Sequence, residues 1–245
     1  LMSIQSIEMS DRFVGMPGTM QGGYIAGLAA DGIDGPIRVR IRRPIHPGDI
    51  LKKTETPNGS EMYRENELVL IAQRSSMHIE PPVPADISTA KAAMHSELPF
   101  KSPYPNCIGC GHSEEGLGVR IRGLDDGKHV VAVWTPSAEW GTGNGIVPRE
   151  LVWTIFDCIT SWAIFVDPPP SHNNGLVTGN IAAQFFEEVE VGTEYVFQAW
   201  RAHDTDRGII CGGALNTANG LTALADQELI RTDGWGMVIP EKPLF

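Results

Sequence analysis

Apolar and polar residues alternate along much of this chain. Residues 37–42 (IRVRIR), 116–122 (GLGVRIR), 130–134 (VVAVW), 193–202 (TEYVFQAWRA) and 221–230 (LTALADQELI) show it most clearly. A period of two with β-branched content predicts strands. Residues 21–30 and 150–166 break that rhythm; each follows a glycine-rich loop and predicts a helix. Between them, residues 79–105 carry Pro81, Pro82, Pro84, Pro99, Pro103 and Pro105. Proline at that density opposes a sheet interior and marks a linker, with a short helix predicted around residues 88–96.

The two sides of the linker read as variants of one plan. Each has a glycine-rich loop, a helix, and a strand ending at a turn glycine, Gly48 or Gly192. Each closes with an Ala-rich strand after an Asn-containing turn, at Asn66 and Asn219. Self-similarity at this long period points to a duplicated half; chance similarity is the alternative. The expected division is a first half over 1–80, a linker over 81–105, a second half over 106–235 and a tail over 236–245.

The second helix carries the candidate chemistry. Residues 151–166 read LVWTIFDCITSWAIFV, and Asp157 is their only charged residue. Thr154, Thr160 and Ser161 fall on the same helical stripe. A solvated helix face normally carries Lys, Glu or Arg, so Asp157 is expected to enter a partly dry, polar-lined slot. A carboxylate there must be hydrogen-bonded or have its pKa pushed up, which is the setting of a general base. An acid at an exposed edge of the helix is the plainer alternative.

A net charge of -11 over 245 residues argues against a nucleic-acid partner. It leaves room for an anionic ligand held by a local arginine row: Arg38, Arg40 and Arg42 with Arg43, or Arg120 and Arg122. A solvated outer sheet face or a subunit contact explains those rows equally well. No apolar run long enough to span a membrane and no secretory leader is apparent. The four cysteines do not make a disulfide framework in a chain of this length, so a reduced, cytoplasmic protein is expected.

Several other signals lack the context their chemistry requires. Cys107 and Cys110 form one C-x₂-C near His112, but no second pair completes four ligands, so no metal is expected. His95 and Glu97 with that pair only partly match a zinc-deaminase pattern. Cys158 reads as an inert buried cysteine, and GLGVRIRG lacks the strand–turn–helix setting of a dinucleotide loop. No GxSxG elbow is present, and His172 and His203 sit in loops without visible partners.

Taken together, the pieces resemble the double-hotdog acyl-CoA thioesterases. QGGYIAGLAA at 21–30 is similar to the GG-containing helix opening of the acyl-CoA thioesterase II family, and VRIRRPIHPGDIL at 39–51 to its strand ending in a PGD turn. CIGCG…GLGV from Cys107 looks like the start of many single-domain hotdog proteins. The resemblance implies an α+β tandem hotdog, with two antiparallel sheets, each wrapped round a central helix, paired back to back into one continuous sheet as a pseudo-dimer. In order and context, Asp157, Thr178 and Gln227 match that family's catalytic set. It implies hydrolysis of an acyl thioester, acyl-CoA above all, by a water that Asp157 activates. No cofactor is needed beyond the CoA of the substrate, and a homo-oligomer is compatible. Gly22, Gly23, Gly145, Trp153, Thr154 and Ser161 are expected to meet the substrate, the glycine-rich helix starts offering N–H groups to an oxyanion.

The chain departs from the family in three ways. The first half has compressed one hairpin, its helix lacks an interior carboxylate, and Gln21 stands where a histidine often precedes GG. One site per chain is therefore expected. Two other functions stay open: a non-catalytic acyl or hydrophobic-ligand binder, and a hydratase or dehydratase. The last would require an Asp and His pair near the helix start, and residues 140–149 contain none.

Overall fold

A computed structural model describes residues 4–96, 104–168, 175–238 and 243–244. Residues 97–103 of the expected linker (including Glu97, Pro99 and Pro103), His172, and 239–242 and 245 of the expected tail lie outside that description. The first part of the chain forms β1 (Ile4–Glu8), α1 (Gly22–Ala30), β2 (Ile37–Ile41), β3 (Ile50–Thr56), β4 (Gly59–Arg64) and β5 (Glu67–Arg74). A short helix, α2 (Ile87–Ala93), follows, capped by the Asp86 carboxylate, which accepts from the Thr89 N–H. Then come β6 (Arg122–Gly123), β7 (His129–Trp134) and α3 (Arg149–Val166). The long strands β8 (Gly175–Phe185), β9 (Tyr195–Asp204), β10 (Gly208–Thr217) and β11 (Gly220–Thr232) precede a short β12 (Met237–Val238).

The strands form one antiparallel sheet in the order β1-β3-β4-β5-β2-β8-β11-β10-β9-β7-β6, with β12 also on β8. Outward from the β2–β8 seam the order is the same on both sides: β5 and β11, β4 and β10, β3 and β9, β1 and β7. At the seam Ile37 stands opposite Ala183 and Val39 opposite Ile181. Backbone hydrogen bonds across the seam join the two sides into one continuous sheet, as the tandem arrangement implies. The first side is the smaller, with β2 only 5 residues long against 11 for β8, and β4 only 6 against 10 for β10.

The helices α1 and α3 lie against one face of the sheet and against each other. α1 packs on β2, β4 and β5, and α3 on β7, β9, β10 and β11. Glycines set how closely the two helices approach. A Cβ at Gly23 would lie 2.1 Å from the Trp153 carbonyl oxygen, and one at Gly27 would lie 2.3 Å from the Glu150 Cα. Each glycine costs about 1 kcal/mol of helix propensity relative to alanine, which close helix packing offsets. Beneath α3, Phe156 meets Phe197 edge-on at 5.2 Å.

One predicted strand is mostly absent. Of residues 116–122 only Arg122 enters the sheet, because Gly118 takes a φ of 71° that turns the chain out of extended geometry. No helix among the described residues is long and apolar enough to cross a membrane.

Candidate active site

The candidate site lies where the start of α1 meets the middle of α3. Gln21 is the N-cap of α1, and its side-chain oxygen accepts from the Tyr24 N–H at 2.7 Å. That bond fixes which way the carboxamide points. Its nitrogen then donates to Asp157 Oδ2 at 2.6 Å and to the Thr154 carbonyl at 3.1 Å. The Gly23 N–H also donates to the Asp157 carboxylate. A Cβ at Gly22 would lie 3.1 Å from Asp157 Oδ2, a tight approach to the carboxylate.

The sheet supplies the other side of the carboxylate. Thr178 donates its hydroxyl to Asp157 Oδ1 at 2.6 Å, and the Gln227 amide donates to the same oxygen at 2.5 Å. The amide also reaches Thr178 Oγ1 at 2.8 Å. Gln227 Oε1 accepts from Thr160 at 2.6 Å and Ser161 at 3.2 Å, so the polar stripe of α3 orients the glutamine that orients the acid.

Thr178 points inward because of a bulge. Strict alternation from the core residue Ile181 would turn Asn180 outward, Gly179 inward and Thr178 outward. The pairing of β8 with β11 instead skips Gly179: Glu228 stands opposite Asn180, and Leu229 opposite Thr178. One extra residue on β8 flips the face of everything before it. Glycine suits the position, since a Cβ there would lie 2.6 Å from Ile230 Cγ2.

Asp157 is 8% exposed. Burial is the largest influence on its carboxyl and drives the pKa up to about 6; the charge of Cys107 adds to the rise, while the bonds from Thr178, Gly23 and Gln227 oppose it. Its exposed part faces a cavity of about 230 Å³, whose wall includes Gly22, Cys107, Asp157, Ser161, Thr178 and Leu229. Arg42, Arg43 and Trp235 stand among the residues at its edge.

The structure brings Asp157, Thr178 and Gln227 together; Asp157 and Thr178 line the cavity, and Gln227 is fully buried behind them. Gly22 and Ser161 are on the wall. The other four residues expected to meet substrate are not. Gly23 packs against Trp153 and Asp157 of α3, the Trp153 backbone packs against α1, and the Thr154 hydroxyl donates to the Glu150 carbonyl. Gly145 belongs to the loop before α3, about 12 Å of helix rise from Asp157.

The arginine rows divide. Arg38 is bound to Asp226 at 2.6 and 2.9 Å and to Asn180 at 2.8 Å on the outer sheet face. Arg120 and Arg122 donate to the carbonyls of Gly111 and Ser96. Arg42 and Arg43 alone of these rows line the cavity.

No protein-family model and no curated protein matches the chain. Solved structures do. A protein of Novosphingobium aromaticivorans described as a thioesterase superposes with a TM-score of 0.65 at 10% identity, over 94% of this chain and 96% of its own. One of Thermobifida fusca described as a thioesterase II gives 0.60 at 14% identity, over 94% and 93%. The TesB protein of Mycobacterium avium subs. paratuberculosis gives 0.57 at 12% identity, over 94% and 93%.

The fold is of the hotdog type and resembles that of the double-hotdog thioesterases. Within this hotdog fold, sequence reasoning passed over two features. Gln21 was noted only as a substitute for histidine, although an amide at the helix N-cap directly before GG was the available signal. Cys158 was set aside singly, although the fold carries it to the C-x₂-C turn: the sulfurs of Cys107, Cys110 and Cys158 lie within 4.8 Å of one another.

Proposed function

We propose that the chain hydrolyses an acyl thioester, with acyl-CoA as the substrate class and Asp157 as the general base. The observation that carries this reading is a single buried carboxylate on a cavity wall, gripped from both ends by Gln21, Thr178 and Gln227. The thioesterase descriptions of the structural neighbours support it.

A thioester carbonyl is already activated, so modest assistance suffices. Water attacks the carbonyl carbon while its proton passes to Asp157. The tetrahedral intermediate then expels the thiolate, which takes the proton back, leaving a carboxylic acid and a thiol. General-base help is worth about 10²–10⁴-fold, and an oxyanion donor about 10²–10³-fold. The Gly23 and Tyr24 N–H groups serve Asp157 and Gln21. The Gly22 N–H, at the first turn of α1 and on the cavity wall, is the oxyanion donor in this reading. Thr178 holds the water, and Gln227 acts through Asp157 and Thr178 as a positioning residue. A cavity of about 230 Å³ takes the acyl end and leaves the nucleotide outside near Arg42. The free state of all four cysteines fits a reducing, cytoplasmic setting.

One observation favours a second reading, an acyl binder without turnover. Three side chains and the Gly23 N–H already donate to the Asp157 carboxylate, so a water must displace one of them. Thiol release from a series of acyl-CoAs, measured alongside equilibrium binding, separates the two. Turnover that depends on chain length supports hydrolysis; saturable binding without thiol release overturns it.

A further inference from the structure

Cys107 and Cys110 sit on a tight turn between residues 104 and 117, and Cys158 is the α3 residue after Asp157. All three are buried, 4–7% exposed, and all three line the cavity. The Cys107 and Cys158 sulfurs are 3.6 Å apart, and the whole set spans at most 4.8 Å. Tetrahedral zinc with Zn–S bonds of about 2.3 Å places its sulfurs about 3.8 Å apart. The triangle is therefore the size of a metal site.

A second observation concerns what surrounds the sulfurs. The backbone N–H groups of Gly109 and Cys110 point at the Cys107 sulfur. The Trp162 side chain bonds the Cys110 sulfur, and the Gln21 amide donates to the Cys158 sulfur at 3.5 Å. Neutral buried thiols have little need of such donors, whereas thiolates do, and the thiolate is the metal ligand. The turn is also built for close approach. A Cβ at Gly109 would lie 2.6 Å from the Cys158 sulfur, and one at Gly111 would lie 2.4 Å from the Cys107 carbonyl oxygen. The turn is closed by the Gly111 N–H on that same carbonyl at 2.8 Å.

We propose that Cys107, Cys110 and Cys158 bind one zinc ion as three thiolates, tying the 104–117 segment to α3. The three thiols release their protons to solvent on binding. Because the sulfurs border the cavity, the fourth position is left to water or another small ligand, as in zinc sites with three protein ligands. One net negative charge remains, and the N–H donors around the sulfurs offset it. The inference does not rest on the thioesterase reading.

The test is metal content of the reduced, tag-free chain after equilibration with Zn²⁺ and removal of excess. About one Zn²⁺ per chain is expected, falling at least about tenfold in Cys107→Ser and Cys110→Ser and staying unchanged in Cys211→Ser, whose cysteine lies outside the cluster. Co²⁺ in the unmodified chain gives a thiolate charge-transfer band of three-sulfur intensity, a readout that needs no variant. Absence of metal uptake overturns the proposal. So does uptake retained in the Cys107 and Cys110 variants or lost in Cys211→Ser, or a thiol count showing a disulfide within the cluster.

Discussion

Gln21 donates to Asp157 Oδ2 at 2.6 Å across the contact between α1 and α3, joining residues 136 positions apart in the chain. The bond ties the two sides of the fold to one carboxylate. It exists because Gly23 lets α1 approach α3 where a side chain would collide with Trp153 and Asp157. Gln21→Ala removes the donor and the N-cap together. A loss of about 1–3 kcal/mol in stability is expected, read as a lower denaturant midpoint. Retention of full stability would show that the amide is not engaged.

The raised Asp157 carboxyl sets a pH dependence. In protein stripped of divalent metal, kcat/KM is expected to fall as pH drops through about 6, because the base becomes protonated. Stability runs the other way. The folded carboxyl holds its proton more tightly than the unfolded one, so this residue's contribution is greatest below the ordinary carboxylate pKa and is lost as pH rises toward about 6. Asp157→Asn is expected to lack that slope in denaturation series across pH. An identical slope in both proteins would place the titration elsewhere.

The bulge at Gly179 is what turns Thr178 toward Asp157. Thr178→Val removes a hydrogen bond to a charged group, about 1.5–3 kcal/mol, or roughly 10–100-fold in kcat/KM. An unchanged kcat/KM in Thr178→Val would show that the hydroxyl takes no part in the site.

The strand alternation and the helices α1 and α3 were legible in the chain from their residue period. IRVRIR and TEYVFQAWRA form β2 and most of β9, and the lone acid in LVWTIFDCITSWAIFV enters the slot expected of it. The bulge was not legible, since one extra residue leaves the composition of LVTGNIAAQF unchanged while reversing the face of Thr178. Nor was the third sulfur: Cys158 is 48 residues from Cys110, and only packing of the 104–117 turn on α3 joins them. The broken strand at 116–122 was misread because alternation says nothing about the positive φ of Gly118.

Arg42 is exposed at the cavity edge, whereas Arg38, Arg120 and Arg122 are engaged elsewhere. Arg42→Ala is expected to raise KM for acyl-CoA several-fold with kcat little changed, since a phosphate contact far from the carbonyl is equal in ground and transition states. The effect should shrink with added salt. An unchanged KM would send the nucleotide elsewhere.

The most direct test is steady-state hydrolysis of a matched acyl-CoA by the unmodified chain and by Asp157→Asn. The amide keeps the size of the carboxylate but cannot take a proton from water. Turnover by the unmodified chain, with a fall of at least about 10²-fold in kcat for a folded Asp157→Asn, is the result the account predicts. Equal turnover by the two proteins would contradict it.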